Sequence, residues 1–311
     1  MDIVIQLGLL ILGFYILVKG ADWFVEGASS IASKFGIPQI VIGLTIVAFG
    51  TSAPEAGVSI SAALKGSADL TVGNILGSNI VNVIFILAVT AIITPLVVQK
   101  CTFRYEIPFV LVVTILLYFL GVDAEIARFE GLILLAFMAG FMVYLVVMSK
   151  NGQIKMEEGE IDNKSPIIKL ILLIFVGATL IIIGSNLAVD NSIALAKTFG
   201  ISDRIIGLTV IAFGTSLPEL VTSVIAATKG KADIAVGNII GSNIFNILFV
   251  VGLSALVTPI AFAPEFLVDC VICMVITVLL WMLILISKKL KRYAGIIMLV
   301  GYGVYFIYLI Q

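Results

Sequence analysis

Long apolar runs alternate along the chain with short clusters of charged and turn-forming residues. The runs lie near 3–33, 37–64, 69–98, 105–121 and 129–148, and again near 166–197, 202–228, 232–258, 265–287 and 293–310. A helix needs about 20 mostly apolar residues to cross a bilayer, so this pattern predicts ten transmembrane helices joined by short loops. A polar stretch at 149–165 separates a first five-helix unit, 1–148, from a second, 166–311. The first run starts at Ile3 without a basic flank and outlasts a signal peptide, which predicts a retained span and no cleaved leader.

Composition agrees: 61% of the 311 residues are hydrophobic, 12% are charged, and mean hydropathy is +1.24. These values exclude a soluble domain with one apolar core. They predict an all-α membrane protein whose surroundings are the lipid bilayer of the cell membrane. Nothing in the pattern points to nucleic acid or requires a protein partner. Charge placement is more informative than its sum of −1. Alternate loops carrying Lys34, Lys100, Arg104, the 150–169 lysines, Lys229, Lys231 and the 288–292 cluster hold 13 basic residues, against 4 (Lys65, Arg128, Lys197 and Arg204) in the other set. Cytoplasmic loops carry the basic excess, so both termini are expected outside the cell and the 149–165 linker in the cytoplasm. Cys101, Cys270 and Cys273 lack metal-site spacing and read as small apolar residues.

Two internal matches share one offset. Gly43-Leu-Thr-Ile-Val-Ala-Phe-Gly-Thr-Ser-Ala-Pro-Glu55 recurs as Gly207-Leu-Thr-Val-Ile-Ala-Phe-Gly-Thr-Ser-Leu-Pro-Glu219, identical at 10 of 13 positions and 164 residues on. Val72-Gly-Asn-Ile-Leu-Gly-Ser-Asn-Ile-Val-Asn82 recurs at the same offset as Val236-Gly-Asn-Ile-Ile-Gly-Ser-Asn-Ile-Phe-Asn246. Five spans is an odd number, so the second copy is expected to enter the membrane inverted, an arrangement used by transporters.

Glu55 and Glu219 fall near mid-span, where an ionised side chain costs at least about 2.5 kcal/mol. Pro54 and Pro218 remove a donor and are expected to open the helix around Gly50 and Gly214. The freed carbonyls, the carboxylates and the hydroxyls of Thr51, Ser52, Thr215 and Ser216 would form an all-oxygen cage. Calcium takes six to eight such oxygens, and sodium accepts similar ligands. Softer metals favour histidine or cysteine, but the chain has no histidine. Asn74, Ser78 and Asn82 recur every four residues on one helical face, as do Asn238, Ser242 and Asn246, and would supply an opposite wall. Helix-to-helix gluing is the alternative reading of these asparagines, above all of Asn74 and Asn238. Asp22 and Glu26, with Asn186 and Asp190 in the matching places, read as structural, with an entry-path role open. Asp69 and Asp233 suit helix starts; Asp269 has no assigned role.

The duplicated Gly-Thr-Ser-x-Pro-Glu and Gly-Asn-x-x-Gly-Ser-Asn motifs resemble the paired alpha-repeats of the cation/calcium exchanger superfamily, especially its prokaryotic sodium/calcium exchangers. The resemblance runs the full chain. It implies a central calcium site of Glu55, Glu219 and the Thr51 and Thr215 carbonyls. It also implies sodium sites drawing on Ala48, Ser52, Glu55 and Ser78, and on Ala212, Ser216, Glu219 and Ser242, with Asn82 and Asn246 completing the ring. Asn246 departs from relatives with an aspartate there, including potassium-dependent exchangers, which argues against potassium co-transport. The linker is far too short for the calcium-sensing domains of animal exchangers.

The expected activity is therefore electrogenic antiport of about three sodium ions per calcium, without a cofactor. The long first and sixth spans are expected to move. A calcium/proton antiporter on the same scaffold is the near alternative. A cation channel is remote because it would need rings of ligands along a continuous pore. An enzyme is not expected, because no nucleophile pair or cofactor motif is present.

Overall fold

The computed structural model describes residues 3–66, 68–150, 165–200, 212–285 and 287–310. Most of the linker and residues 202–211 of the seventh predicted span lie outside the described residues. The helices are α1 (Ile3–Phe35), α2 (Gln39–Thr51), α3 (Ala53–Leu64), α4 (Leu70–Ile93), α5 (Thr102–Leu120) and α6 (Arg128–Lys150). They continue as α7 (Ile167–Thr198), α8 (Ala212–Thr215), α9 (Leu217–Thr228), α10 (Ala232–Val257), α11 (Pro264–Leu285) and α12 (Arg292–Ile310). Seven of them, α1, α4 to α7, α10 and α11, are long and apolar enough to cross a membrane, and the bent pair of α2 with α3 makes an eighth. Helices α9 and α12 are apolar but shorter among the described residues. The chain is an all-α membrane protein.

Burial separates two classes of helix. The apolar windows of α4 and α10 are 78% and 83% buried, against 22–33% for α1, α5, α6, α7 and α11. The repeated asparagine-rich motif therefore forms the centre, and the more uniformly apolar helices face lipid, where backbone groups must be satisfied within the helix. Wide π-helical turns interrupt α4 at Asn82–Ile86 and α10 at Asn246–Val251. Such turns occur mostly as local bulges, frequently at functional sites.

Helices α1 and α7 pack along their length in opposite directions. Gly13 lies against Gly184 and Ala188, Gly20 against Gly177 and Ile181, and Gly27 against Leu170. A Cβ at Gly184 would lie 2.4 Å from the Leu17 nitrogen, and one at Gly20 2.7 Å from the Ile181 nitrogen. Small residues matter here because apolar transfer gives little drive between helices in lipid, and close backbone approach supplies the packing.

Short strands tie the first half to the second. β1 (Leu96–Val97) pairs antiparallel with β4 (Lys289–Leu290), and β2 (Glu125–Ile126) with β3 (Ile260–Ala261). Leu96 opposes Leu290 and Ile126 opposes Ile260, so exchanging the halves by 164 residues turns one ladder into the other. Backbone turns obey the same exchange. Positive φ occurs at Gly36 and Gly200, at Gly66 and Gly230, and at the non-glycines Ala124 and Lys288.

Candidate functional site

The first Gly-Thr-Ser-x-Pro-Glu segment breaks its helix at Ser52 (φ −82°, ψ 5°), and α3 leaves α2 at 51°. Ser216 (φ −89°, ψ 5°) separates α8 from α9. The break is thus two residues beyond the expected Gly50 and Gly214. The reason lies in Pro54 and Pro218, which occupy the second position of the restarting helices. A missing N–H costs nothing there, because first-turn donors have no intrahelical partner. Proline consequently begins a new helix instead of distorting an old one. Glu55 and Glu219 fall in the first turns, where the helix dipole favours negative charge. Gly50 and Gly214 serve packing: a Cβ at Gly50 would meet the Phe24 ring at 2.5 Å, and one at Gly214 would meet Val189 at 2.7 Å.

Both glutamates are fully buried. Ser52 Oγ donates to Glu219 Oε1 at 2.9 Å, and Ser216 Oγ donates to Glu55 Oε1 at 3.4 Å. This reciprocal clasp brings the two motifs together. Ser242 Oγ also reaches Glu219 Oε1 at 3.5 Å, and Ser78, its counterpart on α4, is buried. Thr51 Oγ1 lies 2.9 Å from Asn238 Oδ1, and Thr215 Oγ1 lies 3.4 Å from Asn74 Oδ1. The Ala48 carbonyl accepts from the Ser52 N–H at 3.0 Å. Ala212 is the first described residue of α8.

Asn74 and Asn238 act as braces. Their amides donate to Ser59 Oγ and Ser223 Oγ at 2.9 and 3.0 Å and reach the Glu55 and Glu219 carbonyls at 3.4 Å. These bonds tie each asparagine to the helix that carries the glutamate. Asn82 and Asn246 differ. Asn82 Nδ2 donates to Asn243 Oδ1 and Asn246 Nδ2 to Asn79 Oδ1, at 3.0 and 3.1 Å. Asn79 and Asn243 in turn donate to each other's backbone carbonyls at 3.2 and 3.1 Å. The four asparagines fix which end of each amide is used for bracing and leave the Oδ1 atoms of Asn82 and Asn246 as acceptors. The helix bearing Glu55 packs against the π turn opened by Asn246, and the helix bearing Glu219 against that opened by Asn82.

Four buried oxygens here have no hydrogen-bond partner among the described residues: Glu55 Oε2, Glu219 Oε2, Asn82 Oδ1 and Asn246 Oδ1. A buried acceptor without a donor costs about 1–3 kcal/mol, and a hard cation satisfies such oxygens. Two carboxylates among neutral oxygens suit an ion that binds and leaves. No denser group of three or more metal-ligating side chains occurs among the described residues.

Asn79, Asn243, Ser59 and Ser223 were not singled out by periodicity. Asn79 lies one residue past Ser78 and so off the every-fourth-residue face. Its recurrence at 243 was the available signal. Asp22 pairs with Lys229 at 2.5 Å across the halves, whereas Glu26, Asn186 and Asp190 are exposed. Asp233 lies in the first turn of α10 and accepts from Gln99 at 2.9 Å; the Asp69 side chain lies outside the described residues. The three cysteines are free, two buried and one half-buried.

A family model described as sodium/calcium exchanger protein matches residues 5–147 and 169–311. Inner membrane protein YrbG of Escherichia coli is 38% identical over 289 residues, 88% of each chain. The sodium/calcium exchanger MaX1 of Methanosarcina acetivorans is 33% identical over 340 residues, 97% of each chain. The solved structure of the sodium-calcium exchanger NCX_Mj soaked with zero Na+ and Ca2+ superposes with a TM-score of 0.85 at 32% identity, over 99% of this chain and 100% of that one.

Proposed function

The chain belongs to the sodium/calcium exchanger protein family, and on that premise we propose that it is a secondary active antiporter exchanging sodium for calcium by alternating access. Family membership supports cation/calcium exchange and a transporter, not an enzyme, that works in the membrane without a cofactor. The observation that carries the ion assignment is the reciprocal clasp of Ser52 with Glu219 and Ser216 with Glu55, surrounded by four unpartnered oxygens.

In this reading the architecture is ten spans in two inverted five-helix repeats, 1–148 and 166–311, joined by the cytoplasmic linker, with both termini outside. The exchange of ladders and turns under an offset of 164, and the antiparallel α1 and α7, favour it. Calcium would sit between the carboxylates of Glu55 and Glu219 with the Thr51 and Thr215 carbonyls. Sodium would use those carboxylates in turn, with Ala48, Ser52 and Ser78 in one half and Ala212, Ser216 and Ser242 in the other. Asn82 and Asn246 would close the ring with their free Oδ1 atoms.

The charge balance then sets the coupling. An ionised pair gives the empty site a charge near −2, and moving it through a low-dielectric interior is unfavourable. One calcium neutralises the pair. So do two sodium ions, and a third at neutral oxygens makes the cycle electrogenic. Loaded states cross and the empty one does not, which makes exchange obligatory.

Proteoliposomes loaded with sodium and diluted into sodium-free buffer with calcium-45 are expected to accumulate calcium, faster with an inside-positive potential, because three sodium ions leaving for one calcium entering carry one net positive charge outward. Uptake driven by a pH gradient with sodium absent would instead establish calcium/proton antiport. Topology has its own test. With Cys101, Cys270 and Cys273 replaced by alanine, a membrane-impermeant maleimide is expected to label Asn151→Cys in inside-out vesicles and not in intact cells; the reverse pattern would overturn the orientation.

A further inference from the structure

The two halves of the site are covered unequally. Helix α1 packs along α9, which carries Glu219, whereas among the described residues α7 makes no comparable seam with α3, which carries Glu55. Burial follows the same division. Pro218, Thr222 and Lys229 fall at helical spacing on one face of α9 and its end. Pro218 and Thr222 are buried. At the matching places on α3, Pro54 is half-buried and Val58 is 40% exposed, against 0% for Thr222. The exchange of halves that strands and turns obey fails here.

Polar contacts hold the covered side. Lys229 Nζ pairs with Asp22 Oδ1 at 2.5 Å and donates to the Asp22 carbonyl at 3.3 Å. Lys231 Nζ donates to Ser29 Oγ, two turns further along α1. In the other half Lys65 and Asn186 stand where Lys229 and Asp22 do, both exposed, and Asn186 offers Lys65 no charge. A partly exposed ion pair adds little to fold stability, but a contact made in one of two states shifts the balance between them by its full worth. Resting on the alternating-access reading, we propose that Asp22 and Lys229 form a latch. It holds the α1–α7 pair over α9, so that the path along α9, cytoplasmic in the proposed topology, stays closed while the path along α3 stays open. The glycine seam ties α1 to α7, so uncovering α9 would carry α7 over α3 and bring position 186 toward Lys65. Asparagine there leaves the opposite state without a latch, and the single charge difference sets the bias.

The test reads accessibility and needs no transport. It uses the full chain in detergent with calcium bound, with Cys101, Cys270 and Cys273 replaced by alanine. Thr222→Cys is expected to react slowly with a water-soluble maleimide and Val58→Cys quickly. Adding Asp22→Asn, which installs the residue of the other half, is expected to speed Thr222→Cys labelling about twofold to fivefold, the population shift for loss of one partly exposed ion pair. Lys229→Gln is expected to match it. Asn186→Asp alone is expected to do the same, by latching the opposite state to Lys65. Exchanging the charges, Asp22→Lys with Lys229→Asp, restores the slow rate. An unchanged Thr222→Cys rate in Asp22→Asn and Lys229→Gln would overturn the proposal, as would an Asn186→Asp rate no faster than the parent. A faster rate that the exchanged pair fails to restore would mean a loosened helix and overturn it equally. Calcium-45 uptake by the unaltered protein decides the antiporter reading separately: absent uptake removes that reading whatever the labelling, and normal uptake with unmoved labelling removes the latch alone.

Discussion

Glutamine in place of either Glu55 or Glu219 is expected to abolish sodium-driven calcium uptake while leaving the protein folded. The substitution keeps shape and an acceptor oxygen, so Ser52 or Ser216 can still donate to position 219 or 55. What changes is charge. With one carboxylate gone, a bound calcium ion leaves one positive charge uncompensated in a site sealed from solvent. Removing one partner of a buried ion pair costs about 3–5 kcal/mol. That is on the order of 10²- to nearly 10⁴-fold in calcium affinity. The sodium limb fails too, because the second carboxylate-bound sodium loses its counter-charge. Acid acts in the same sense, since protons compete for the same carboxylates; inhibition should deepen as pH falls and reverse when it is restored. Calcium-45 uptake and size-exclusion profiles of both variants check the expectation. Near-normal uptake in either would remove the ion assignment.

Much of this site was legible in the sequence because duplication supplies an internal control. A polar residue that recurs at the same offset in an apolar chain is held there by something other than chance, and that reasoning isolated Glu55, Glu219, Asn82 and Asn246. Helix positions followed from run length, and the described helices end within a few residues of the predicted runs. Three things were less visible. Proline was read as breaking a ladder from within, whereas its placement in the first turn shifts the break to Ser52 and Ser216 and gives the glutamates helix N-termini. The roles of Asn79 and Asn243 depend on a contact between halves that no single helical face encodes. The pairing of Asp22 with Lys229 spans 207 residues and has no counterpart at its repeat positions, Asn186 and Lys65.

Alanine at Gly20 and Gly184 together is expected to lower the thermal unfolding midpoint in detergent sharply, whereas Gly8→Ala in the same helix does not lower it. At Gly184 the new methyl would lie 2.4 Å from the Leu17 nitrogen and 2.8 Å from the Gly13 carbonyl oxygen; at Gly20 it would lie 2.7 Å from the Ile181 nitrogen. Those neighbours are backbone, so no rotamer change relieves the contact and the two helices must separate. Overpacking of this kind costs about 1–3 kcal/mol per site. The two positions lie about one turn apart on the same seam and push the same two helices apart, so their combined effect is expected to be less than the sum of the two. Gly8 has nothing within 4 Å of an added Cβ, and alanine is the better helix former. The result bears on transport through the contacts at the far side of the pair. Phe24 of α1 seats on Gly50 and Val189 of α7 on Gly214, beside the two helix breaks. A backbone-to-backbone seam lets α1 and α7 move as one body, while the contacts to the broken helices run through side chains that can change partners. An unaltered midpoint in the double variant would mean that the seam yields, and a rigid α1–α7 unit would have to be abandoned.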